Sequence, residues 1–99
     1  MSFVTAYPQV LAAAASDLQT IGAELTAGNG IAAGPTGAVV PAAADEVSVL
    51  TAAQFAVHAQ RYQELAARAV QIQEVLVAVL ADNANSYSAT EAANAAAAR

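Results

Sequence analysis

Tyr87 and Glu91 stand four residues apart in the stretch SYSATE, near the end of a chain that closes mostly in alanine, serine and asparagine. On a helix that spacing sets a phenol and a carboxylate on one face, one turn apart, a pair suited to recognition but also common enough to arise by chance, and the spacing alone does not choose between the two. Other candidates for chemistry are few. His58 is the only histidine, and without a cysteine or a second imidazole it cannot complete a zinc set. Its place between Phe55 and Tyr62 reads as packing or interface rather than acid–base work. Asp45 and Glu46 are adjacent, so a helix would separate them by about 100°, the wrong geometry for sharing a proton or a metal. Helix capping explains them better. Gly28, Gly30 and Gly34 have no preceding strand and no lysine with them, so they read as a turn and not as a phosphate-cradling loop. The expectation is a non-enzyme with no cofactor, no metal and no small-molecule substrate.

Composition narrows the partner class. The 99 residues allow one small domain, and although 58% are hydrophobic, thirty of them are alanine, which buries little. The formal charge is −5 and the basic side chains are Arg61, Arg68 and Arg99 alone. Nucleic acid and anionic membranes both require a basic patch, so neither is expected as a partner. The start MSFVTAYPQVLAAAAS has no basic region and is interrupted by Pro8, so it does not read as a cleaved signal peptide. No run of 18 apolar residues is present to span a bilayer.

The elements that must position these residues are two helices joined by a punctuated loop, with no strand-like alternation competing. The first is read over about residues 8–30 and opens at Pro8, since a proline at the first helical position costs no hydrogen bond. Leu11, Ala14, Leu18, Ile21 and Leu25 follow at spacings of three and four, with Asp17 and Glu24 off that stripe. Gly28, Gly30, Gly34, Pro35 and Gly37 lower helix propensity stepwise and place a break within 28–37. The second helix is read over about residues 45–83, with Asp45 as N-cap and Glu46 against the positive end of the helix dipole. The stretch DNANS then weakens it, leaving 1–86 as a helical hairpin and 87–99 as a flexible tail.

Helix two carries a heptad seam. Phe55, Tyr62, Ala69 and Leu76 recur every seven residues, interleaved with His58, Leu65, Ile72 and Val79, while Val57, Val70, Val77 and Leu80 form a second strip beside them. Glu64 and Arg68 make an i,i+4 pair on a solvated face. Phe3 and Tyr7, just ahead of helix one, are placed to staple its start. A two-helix hairpin cannot bury both strips, and one this rich in alanine has too little apolar area to offset the entropy of ordering it. A partner is therefore expected.

The opening MSFV, Pro8 at the head of an alanine-rich helix, the joint VVPAAADEVSVL, the segment AAQFAVHAQRYQ and the close SYSATEAANAAAA together resemble the PE domain of mycobacterial PE proteins. The resemblance covers essentially the whole chain. One departure is Gln9, where the family's Pro-Glu pair here reads Pro8-Gln9. The resemblance implies an all-α, two-helix antiparallel hairpin that completes a four-helix bundle with a PPE protein. It also implies export of the folded pair by a type VII (ESX) secretion system, with a secretion chaperone contacting the PPE subunit. Such a chain would be cytoplasmic before export and secreted or at the cell surface afterwards. The family's Tyr-x-x-x-Asp/Glu export signal falls on Tyr87 and Glu91. The residues expected to meet the partner are Leu11, Leu18, Ile21, Leu25, Phe55, Val57, His58, Tyr62, Leu65, Val70, Ile72, Leu76, Val77, Val79 and Leu80. A different class, a self-assembling homodimeric structural protein of the cell envelope, would use the same strips.

Overall fold

The computed structural model describes residues 4–99, and among them every regular element is helical. Helix α1 spans Pro8–Gly37 and helix α2 spans Glu46–Ala97. Pro8 stands at the first position of α1 as expected, and the carbonyl of Tyr7 accepts from the N–H groups of Val10 and Leu11 at 3.1 and 3.2 Å. Asp45 caps α2: its Oδ1 accepts the backbone N–H of Ser48 at 2.9 Å and its Oδ2 the Ser48 hydroxyl at 2.8 Å. These two bonds, the backbone one first, favour the ionised form and hold the Asp45 carboxyl below its ordinary value. No helix among the described residues is long and apolar enough to cross a membrane.

Both helices run past the ends expected from the sequence. Helix α1 does not stop near residue 30 but continues through Gly28, Gly30 and Gly34 to Gly37, the last residue of the 28–37 stretch in which the break is expected, with Pro35 inside it. No described glycine has a positive φ, so none acts as a left-handed stop. A glycine costs a helix interior only about 1 kcal/mol, too little to end it when the turns on both sides persist. Gly34 also eases Pro35, because the proline ring disfavours a helical predecessor partly through that residue's Cβ. Helix α2 ends at Ala97, not near residue 83. The asparagines of DNANS carry small individual penalties, and the alanines that follow are the strongest helix formers. Residues 87–97 are thus helical rather than a flexible tail, and the Tyr87 motif lies within α2 instead of beyond it.

The chain divides into two units, one joining residues up to Ile21 with Ile72–Arg99 and the other comprising Gly22–Gln71. Within the second unit, Tyr62 and Gln63 bond to Asn29, while Phe55, Ala59 and Tyr62 share a groove with Thr36. Within the first, Gln73 bonds to Leu18, and Tyr87 shares a groove with the head of α1. In each unit the order of partners reverses along the chain, so the helix segments pair antiparallel, as expected of a hairpin. The staple assigned to Phe3 lies outside the described residues; Tyr7 lines the groove beside Tyr87.

Candidate interaction surfaces

The residues that face inward on α2 are mostly small or polar, joined by Val70, Val77 and Leu80 toward its C-terminal half. Ala52, Ala59, Ala66, Gln73 and Leu80 recur every seven residues and interleave with Ala56, Gln63, Val70, Val77 and Ala84; all ten are buried or half-buried. On α1 the matching face carries Leu11, Ala15, Leu18, Gly22 and Asn29. The buried apolar side chains among the described residues are all alanines: Ala15, Ala52, Ala59 and Ala84. Such residues let helix backbones approach closely, and the two glutamines exploit that closeness. Gln73 Nε2 donates to the Leu18 carbonyl at 2.9 Å, and Gln63 Nε2 donates to the Asn29 carbonyl at 3.1 Å. The Tyr62 hydroxyl donates to Asn29 Oδ1 at 2.7 Å. A polar side chain that finds its acceptor in only one alignment sets the register of its helix pair.

The large apolar side chains face outward. Ile72 is 71% exposed and Leu65 66%, and Phe55, Val57, His58, Tyr62, Leu76 and Val79 are exposed with them. Ile21 and Leu25 on α1 are exposed too. Leu11, Leu18, Val70, Val77 and Leu80, which belong to the same expected interface set, are half-buried in the described chain. Further outward apolar groups that the periodicity does not single out are Val10, Ile31, Val47, Leu50 and Val75. The inner row has a legible signal in its own seven-residue recurrence of alanine and glutamine, offset by three residues from Phe55, Tyr62 and Leu76. The large side chains of the outer row mask it.

His58 borders a groove of about 320 Å³ with Thr36, Val39, Phe55, Ala59 and Tyr62. Among the described residues no three histidine, cysteine or acidic side chains converge as a metal set. Glu64 accepts from Gln60 Nε2 at 3.3 Å, one turn back, and the pairing expected with Arg68 is not among the contacts of the described residues.

Tyr87 is 51% exposed on α2, and Glu91 follows it one turn later, also exposed. Tyr87 closes one side of a groove of about 390 Å³ whose other walls are Val4, Thr5, Ala6, Tyr7, Pro8, Val10, Leu11 and Ala14. Pro8 opens α1, and Gln9, the next residue, is exposed in its first turn.

Comparison with known proteins gives a consistent picture. A model of the PE family matches residues 4–94. PE family protein PE13 of Mycobacterium tuberculosis is 63% identical over 98 residues, covering 99% of this chain and 99% of that protein. PE-PGRS family protein PE_PGRS33 of the same organism is 51% identical over 96 residues, which are 97% of this chain and 20% of that one. PE-PGRS family protein PE_PGRS8 is 50% identical over 96 residues, 97% of this chain and 55% of its own length. The chain therefore spans the whole of one relative and only part of the other two.

Proposed function

This chain belongs to the PE family, and from that premise we propose that it is a non-enzymatic half of an obligate heterodimer with a PPE-family protein. The two chains form a four-helix bundle in the cytoplasm and leave as a folded pair through a type VII (ESX) secretion system, to be secreted or held at the cell surface. Tyr87 and Glu91 serve as the export motif, and a secretion chaperone contacts the PPE subunit.

One observation carries the pairing: the outward row of Phe55, Tyr62, Leu65, Ile72 and Leu76 beside an inner seam of alanine and glutamine. Contiguous apolar surface of this kind marks a protein–protein contact. The accessible area points the same way, at 7668 Å² against about 5,200 Å² for a folded monomer of this mass. Two long helices of a partner laid along the outward row would build a bundle core from it.

Light-scattering mass and circular dichroism, on the chain alone and mixed with candidate PPE proteins, test this reading. The expected result is a poorly ordered chain that becomes helical at one-to-one mass with one candidate. A stable helical homodimer indifferent to every candidate would overturn it in favour of self-assembly.

A further inference from the structure

The export motif does not stand alone in the fold. Helix α2 carries Tyr87 past the head of α1, with Ala84, only 3% exposed, just before it, so the phenol closes a groove whose opposite wall includes Tyr7, Val10 and Ala14. All of these residues belong to one unit. Tyr7 and Val10 are each 67% exposed, which leaves the groove open to an incoming side chain. Because α2 remains helical through Ala97, Glu91 is held about 40° around the helix from Tyr87 and one turn beyond it. The same unit carries the acids Asp17, Glu74, Asp82 and Glu91 against the single side-chain cation Arg99.

We propose that the groove between the head of α1 and Tyr87 is part of the surface on which the export motif is read. Its occupant is a basic protein segment that sets an apolar side chain in the groove and a guanidinium or ammonium group at Glu91. The inference rests on the reading of Tyr87 and Glu91 as the export motif and extends it to residues some eighty positions away in sequence. The apolar walls bind by excluding water, while the carboxylate and the surrounding negative field select a cationic partner and orient it. A linear tyrosine motif would be indifferent to Tyr7 and Val10; a composite one is not.

The test compares export of the full chain, co-expressed with its partner, for Tyr87→Ala, Val10→Ser, Glu91→Arg and Arg68→Ser as a remote control, with co-purification of the pair measured for each. Tyr87→Ala and Glu91→Arg are expected to abolish export, Val10→Ser to lower it at least tenfold with the pair intact, and Arg68→Ser to leave it unchanged. Normal export of Val10→Ser while Tyr87→Ala is blocked would overturn the composite surface and spare the motif. Normal export of Tyr87→Ala would overturn the motif itself, and the composite surface with it. Should Val10→Ser lose its partner, photo-crosslinkers at positions 10 and 90 of an otherwise unaltered chain decide the matter. Capture of the same component of the export apparatus from both positions supports the proposal, and capture from position 90 alone overturns it.

Discussion

The two long faces of α2 share a heptad period and differ in almost everything else. The inner one offers Ala52, Ala59 and Ala66 with Gln63 and Gln73 donating to carbonyls of α1, while the outer one, three residues out of phase, offers Phe55, Tyr62, Leu65, Ile72 and Leu76 to solvent. A core made of alanine stabilises little per residue, since hydrophobic stabilisation scales with the apolar area removed from water. The inner face therefore serves alignment: small side chains allow close approach, and each glutamine bond is satisfied in one register only. The outer face holds the apolar area that could supply stability. Division of labour between a face that aligns and an outer face, the one proposed to bind, accounts for a chain whose own helices are well matched yet whose largest apolar groups are left unburied.

That comparison can be broken at either face. The largest effect is expected for Leu76→Asp, at a position 48% exposed in the described chain and so not held by the contacts between its own helices. In the proposed pair, an unpaired charge at the interface should cost about 3–5 kcal/mol of association, read as loss of co-purification and of the one-to-one mass. A pair of wild-type affinity would show that the outer face is not the binding face. Next is Ala59→Leu on the inner face, where the side chain is only 7% exposed. Overpacking there should lower stability by about 1–3 kcal/mol, visible as an earlier thermal melt of the folded pair, and an unchanged melt would mean the helices are not closely apposed at this point. The smallest effect is expected for Gly30→Ala. An added Cβ meets nothing within 4 Å and the backbone φ is not positive, so the change should stabilise by about 0.5–1 kcal/mol. A lower melt would contradict a helix that carries the aligning face through residue 30 to Gly37.

The helix starts are legible in the sequence. Pro8 and Asp45 mark them by local chemistry, through a missing N–H that no helix needs there and a carboxylate that satisfies the backbone N–H of Ser48. The helix ends are not legible, because Gly28, Gly30, Gly34, Asn83 and Asn85 carry penalties of at most about 1 kcal/mol each, which a helix already propagating can absorb, while Pro35, which costs about 3 kcal/mol in a helix interior, falls in the last turn of α1. Nor does the inward row of α2 stand out. Hydrophobic periodicity weighs side chains by size and points to Phe55, Tyr62 and Leu76 as the seam, whereas close approach of two helices is decided by which residues are small. For the candidate site, the spacing of Tyr87 and Glu91 is plain in the sequence, but their neighbourhood is not, since nothing local to residues 86–91 refers to Tyr7 or Val10.

By itself, the sequence determined that this chain is all-α, that it starts its helices where it does, and that it carries more large apolar surface than two helices can bury. Those are consequences of local hydrogen bonding and of side-chain inventory. Only the tertiary structure decided which heptad row turns inward and that Tyr87 shares a groove with the head of α1. Each of these depends on a pairing between residues far apart in the chain, and a pairing energy has no value until both partners are in place.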